Sequence, residues 1–219
     1  MPIAKHHEAQ GYDQKPLPWG LWENTRGSDH LALVFPGYGY HADLPVLYYP
    51  ALQIFSTGAD VARLEKRYNE VRGFMDLPDR EQDAWIAADA AAMISECLKR
   101  GKYNRLTLVG KSLGTISMAQ NLETLPQLAR VACIWLTPVL THPAVVRQLK
   151  EASLPGIFAV GTDDQFYDPE LVSQLKARQN LTCLVFRGAD HSLEVKGDVP
   201  ATIRCMEELA DTIAKFNLS

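Results

Sequence analysis

Two hydrophobic periods alternate along this chain. Leu31–Phe35 (LALVF) is an unbroken apolar run, as expected of a strand buried on both faces. Val131–Leu136 reads the same way, Leu106–Val109, Gly156–Gly161 and Leu181–Phe186 read as strands, and Ala59–Tyr68 alternates enough to be a further one. Between these runs the spacing becomes helical. Leu44–Phe55 predicts a helix that Pro50 should bend or interrupt and Gly58 should close. Asp79 should open a long helix as its N-cap, with Gln82 completing a capping box and Gly101 as the stop. A helix should follow Ser112 to about residue 125, with shorter ones over Pro143–Ala152 and Pro169–Arg178. Pro200 should begin the last helix, with Ile203, Met206, Leu209, Ala210, Ile213 and Phe216 on one face.

The first residues fit this pattern less well. Pro16–Asn24 predicts a short edge strand, because its prolines argue against a central one. Residues 1–15, which include His6 and His7, predict a loosely attached tail. From residue 59 onward strands and helices alternate, the pattern of an α/β protein with a mainly parallel central sheet and helices on both faces. Right-handed crossovers put the C-terminal ends of all parallel strands on one edge, where ligands of such folds bind. Without internal repeats or low-complexity linkers, residues 1–219 read as a single domain.

Composition narrows the function. The chain's 219 residues are 47% hydrophobic, enough for one large core. The formal net charge is −4, and no basic cluster marks a nucleic-acid partner. Cys97, Cys133, Cys183 and Cys205 form no Cys-x-x-Cys pair and no zinc-finger spacing. They read as small buried thiols, and neither a metal nor a cofactor is expected. Met1–Gln10 lacks the apolar core of a signal peptide, and no window approaches the ~18 apolar residues of a membrane span. A cytoplasmic protein without a membrane partner is the expectation.

The chemistry gathers at three strand ends. Leu106–Gly114 (LTLVGKSLG) runs from a strand through a glycine-flanked serine into a helix. A serine hydroxyl is a poor nucleophile until a tight turn projects it beside a base and backbone donors. Gly110 and Gly114 permit such a turn at Ser112. The strand over Gly156–Gly161 leads into Thr162-Asp163-Asp164, and the strand over Leu181–Phe186 into Arg187-Gly188-Ala189-Asp190-His191-Ser192. Serine, acid and histidine therefore all fall just past parallel strands, on the same edge. Asp163 and Asp164 are both candidates for the acid, with Asp168 more distant. Asp190 adjoins His191 and cannot easily reach its neighbour's ring.

On these residues the chain resembles the α/β-hydrolase family over almost its whole length. The matching segments are Gly110-Lys111-Ser112-Leu113-Gly114, Gly161-Thr162-Asp163-Asp164 and Gly188-Ala189-Asp190-His191-Ser192. In size it is similar to small carboxylesterase-like and dienelactone-hydrolase-like members, with serine rather than cysteine at position 112. The resemblance implies Ser112 as nucleophile, His191 as general base and acid, and Asp164, three residues past the glycine, as the orienting acid. It implies an oxyanion hole formed by the backbone N–H groups of Leu113 and Tyr38. The loop bearing Tyr38 reads Pro36-Gly37-Tyr38-Gly39, with proline where many relatives have histidine. Tyr40 and Lys111 are candidates to line the substrate cleft, though Tyr40 could equally pack on its loop. Lys111 could assist an acidic substrate, but the preferred reading lets its stem pack beside the turn while its ammonium reaches water. Thr137–Pro155 has room for a loop and one short helix but no lid domain. The implied function is a serine hydrolase that cleaves a small ester or thioester through an acyl-enzyme. The alternatives are a non-catalytic binding protein of the same fold, or an acyltransferase using the same residues.

Overall fold

The computed structural model describes residues 2–216. Its centre is an eight-stranded sheet. In chain order the strands are β1 (Lys5–Gln10), β2 (Pro16–Trp22), β3 (His30–Phe35), β4 (Asp60–Leu64), β5 (Arg105–Ser112), β6 (Arg130–Pro138), β7 (Gly156–Gly161) and β8 (Leu181–Phe186). In space they run β1-β2-β4-β3-β5-β6-β7-β8. β2 is antiparallel to β1 and β4, and every pairing from β4 across to β8 is parallel. The helices are α1 (Pro45–Ser56), α2 (Asp79–Leu98), α3 (Leu113–Asn121), α4 (Pro143–Glu151), α5 (Pro169–Lys176) and α6 (Val199–Lys215).

Side-chain alternation divides the core in two. Leu31, Leu33 and Phe35 of β3, with Leu106 and Leu108 of β5, pack against α2, α3, α4 and α5. Ala32, Val34 and Val109 point the other way, against α1 and α6. β3 is buried along its entire length, so its unbroken apolar run is accounted for by helices on both faces.

Five expectations need correction. The first fifteen residues are not a loose tail over their described length. β1 pairs with β2 from Lys5 to Gln10, and His7 lies with its ring 4.6 Å from that of buried Trp19. Met1 lies outside the described residues. β2 is not an edge strand. It is paired on both sides only over Trp19–Leu21, so Pro16 and Pro18 fall outside the register with β4 and their missing N–H groups break no ladder with it. Asp79 is the first helical residue of α2, with Pro78 at the N-cap position. Gln82 Nε2 donates to the Leu77 carbonyl at 2.9 Å instead of closing a capping box. In α6 the buried face is centred on Cys205, Leu209 and Ile213. Ile203 is 60% exposed, because two residues place it roughly 200° round the helix from Cys205. α1 runs through Pro50 without a break.

One buried polar pair bears on stability. His30 Nε2 lies 2.8 Å from Thr107 Oγ1 between β3 and β5. Burial pushes the His30 pKa down from 6.5 to about 4. Between those values the unfolded chain binds a proton that the folded one refuses. The stabilisation is therefore complete above about 6.5 and lost as pH falls toward about 4, at up to about 1.4 kcal/mol per pH unit. Urea unfolding at pH 7 and pH 5 is expected to show this loss, and His30→Gln should flatten it. An unchanged slope in that variant would assign the acid sensitivity elsewhere.

Candidate active site

β5 ends at Ser112 and α3 begins at Leu113, so the chain must turn at the serine itself. Ser112 has φ 52° and ψ −120°, a conformation that costs an L-residue of order 1–3 kcal/mol. The glycines let the backbones close around it. A Cβ on Gly110 would stand 2.7 Å from the Gly114 carbonyl oxygen, and one on Gly114 would stand 2.0 Å from that of Phe35. Thr115 Oγ1 donates to the Ser112 carbonyl at 2.6 Å and accepts from the Val139 N–H at 3.3 Å, which ties the turn to the exit of β6. Gly114→Ala is therefore expected to destabilise the fold by at least about 2 kcal/mol, read by chemical denaturation. A variant as stable as the parent would mean that α3 can back away from β3.

The acid and the histidine arrive from β7 and β8. Their loops are joined by backbone hydrogen bonds. Thr162 N–H donates to the Phe186 carbonyl at 2.9 Å and Asp163 N–H to that of Ala189 at 2.9 Å. Gly188 N–H donates to Thr162 Oγ1 at 2.8 Å. Gly161 is required here, since a Cβ would lie 2.0 Å from the Ala189 carbonyl oxygen. Asp164 is buried. Its Oδ1 accepts from the Phe166 N–H at 2.9 Å, and its Oδ2 lies 2.8 Å from His191 Nδ1. His191 Nε2 lies 2.8 Å from Ser112 Oγ. A carboxylate only accepts, so Nδ1 carries the ring proton and Nε2 is left to accept from the serine hydroxyl.

The other candidates stand elsewhere. Asp163 is exposed and accepts from the Thr162 hydroxyl at 3.2 Å. Asp168 caps α5 through the Glu170 and Leu171 N–H groups. Asp190 Oδ1 accepts from Ser192 and Glu194 N–H groups of its own turn. Leu113 N–H opens α3, where first-turn amides have no intrahelical acceptor. The loop bearing Tyr38 lies against the serine, for a Cβ on Gly37 would be 3.3 Å from the Ser112 Cβ. The Tyr38 ring stacks on Phe74 with centroids 6.2 Å apart. Tyr40 is half-buried and packs on its loop, with its phenol oxygen accepting from the Val46 N–H at 3.0 Å. Lys111 departs from the preferred reading. The residue is 1% exposed, and its Nζ lies over the Tyr40 ring. His142 Nε2 lies 2.9 Å from Asp83 Oδ2.

Phe166 went unrecognised in the sequence. Its ring meets that of His191 edge-on at 5.2 Å, and its N–H holds the acid. Nothing in the local pattern marks it except its place two residues after Asp164. A cleft of about 690 Å³ opens away from the serine, beside the start of α2, with Tyr12, Lys15, Arg72 and Trp85 in its wall. Among the described residues no group of three or more His, Cys, Asp or Glu side chains is placed to hold a metal ion.

Ser112 thus stands strained at a strand–helix junction of a parallel sheet, with His191 and Asp164 brought to it from later strand exits. The model of the α/β-hydrolase domain family matches residues 29–217, and the chain belongs to that family. No curated protein matches its sequence. Among solved structures it is similar to a proposed α/β hydrolase from Agrobacterium tumefaciens, at 16% identity and TM-score 0.74, covering 95% of this chain and 94% of that one. It is similar to an α/β serine hydrolase homologue from Coxiella burnetii, at 16% identity and TM-score 0.69, with 96% of each chain covered. A third is a serine hydrolase without a lid from Xanthomonas campestris, at 16% identity and TM-score 0.67, covering 96% of this chain and 91% of that one. At such identity the likeness is one of fold. Among the described residues no helix is long and apolar enough to cross a membrane.

Proposed function

We propose that this protein is a serine hydrolase that cleaves small carboxylic esters or thioesters through a covalent acyl-enzyme. The observation that carries this reading is the unbroken polar chain from Asp164 Oδ2 through His191 to Ser112 Oγ, with both links at 2.8 Å. His191 Nε2 takes the hydroxyl proton as Ser112 Oγ forms a bond to the carbonyl carbon. The carbonyl oxygen becomes an oxyanion held by the N–H groups of Leu113 and Tyr38, and the helix dipole of α3 favours its charge. Asp164 stabilises the imidazolium. Collapse of the tetrahedral intermediate breaks the bond to the alkoxide or thiolate, which leaves with the proton from His191. Water then attacks the acyl-serine and gives its proton to His191. The carboxylic acid departs as that proton returns to Ser112.

Small soluble substrates are favoured because only short loops and α4, Pro143–Glu151, connect β6 to β7. Among the described residues α4 is the only helix in that connection. A panel of esters and thioesters of increasing acyl length, assayed beside Ser112→Ala, tests the reading. Turnover that falls with chain length and depends on Ser112 is expected. A folded protein that hydrolyses none of them and fails to react with a fluorophosphonate would refute it in favour of a binding role.

A further inference from the structure

The residue before Ser112 is a lysine in an unfavourable place. Strand alternation turns Lys111 to the same side as Val109, toward α1 and α6. A buried ammonium needs a partner, and among the described residues no carboxylate forms an ion pair with it. Its partner is aromatic: Nζ lies 4.4 Å from the centroid of the Tyr40 ring. Tyr40 is held at both ends. Its phenol oxygen accepts from the Val46 N–H of α1, and its carbonyl accepts from the Gly37 N–H at 3.0 Å. Gly37 and Tyr38 belong to the loop that abuts Ser112. The cation–π contact thus joins the serine strand to the loop that offers one of the two oxyanion donors.

We propose that Lys111 is a positioning residue whose ammonium, seated on the Tyr40 ring, clamps the loop after β3 against the Ser112 turn and keeps the Tyr38 N–H at oxyanion distance. This inference rests on the serine-hydrolase reading above. The attraction to the ring requires the protonated form. Burial lowers the Lys111 pKa to about 8, while Asp164 and Asp190, from the exits of β7 and β8, oppose the fall. Burial pushes the Tyr40 phenol up to about 12, with the charges of Glu194 and Asp190 acting in the same direction, so it stays neutral. The clamp is therefore closed below about pH 8 and released above it.

The carbonyl oxygen gains its charge only on the way to the tetrahedral intermediate, so a loosened donor lowers kcat and leaves KM nearly unchanged. The test is steady-state kinetics on a short p-nitrophenyl ester from pH 6 to pH 10, corrected for spontaneous hydrolysis. Lys111→Met should lower kcat roughly 10- to 100-fold at neutral pH and abolish the alkaline limb seen in the parent. Lys111→Arg, which also places a cation on the ring, should keep kcat within about threefold. Tyr40→Leu should behave like Lys111→Met, and the double variant should be no worse than either single one. Should Lys111→Met fail to fold, Tyr40→Leu and the parent's own pH profile carry the test. Parental kcat in Lys111→Met, or an alkaline limb that survives in either single variant, would overturn the clamp. Parental turnover by Ser112→Ala would instead overturn the reading on which it rests.

Discussion

Ser112→Ala is expected to yield a folded protein whose kcat for short esters is lower by roughly 10⁴- to 10⁶-fold. Without Oγ no acyl-enzyme can form, and what remains is the weak effect of oxyanion donors and substrate binding. The fold should tolerate the change. Ser112 makes its backbone ties through Thr115, and alanine removes a hydroxyl whose partner is His191. A fluorophosphonate should label the parent at Ser112 and leave the variant unmodified. Circular dichroism and thermal unfolding would establish that the loss is chemical. A variant that retained turnover would make another residue the nucleophile.

The second large effect is expected at Asp164. Asp164→Asn exchanges a group that only accepts hydrogen bonds for one that can also donate. Facing His191 Nδ1, the new amide can leave the ring proton on Nε2, where it opposes proton uptake from Ser112. A fall of about 10⁴-fold in kcat is expected. Asp163→Asn serves as the control, since Asp163 is exposed and bonded to Thr162, and should change kcat by less than about twofold. The reverse pattern, with Asp163→Asn crippled and Asp164→Asn active, would reassign the acid and discard the hydrogen-bonded chain as its basis.

The parallel half of the sheet was legible because burial on both faces leaves long apolar runs such as Leu31–Phe35 and Val131–Leu136, and these became β3 and part of β6. The serine turn was legible because its glycines answer to backbone contacts that leave no room for a Cβ. The N-terminal strands were harder to read. β1 (KHHEAQ) has one buried residue, Ala9, so its pairing with β2 leaves almost no hydrophobic trace. The prolines of β2 suggested an edge, yet they lie just outside its doubly paired stretch. The choice between Asp163 and Asp164 depended on the resemblance, because two adjacent carboxylates look alike until the loop geometry turns one inward. Lys111 was misread for a related reason. A lysine in sequence suggests solvent, and the Tyr40 ring on which its Nζ rests is brought from far along the chain.

The hydrogen bonds between the loops that follow β7 and β8 have a mechanical consequence. Asp164 and His191 ride on one rigid cartridge, whereas Ser112 is mounted separately on β5, with β6 standing between. Thermal breathing of the sheet would therefore part the alcohol from the imidazole before it parts the imidazole from its carboxylate. Redesign can exploit that asymmetry by remodelling the strand end that carries Ser112 while the loops that hold Asp164 and His191 are left untouched.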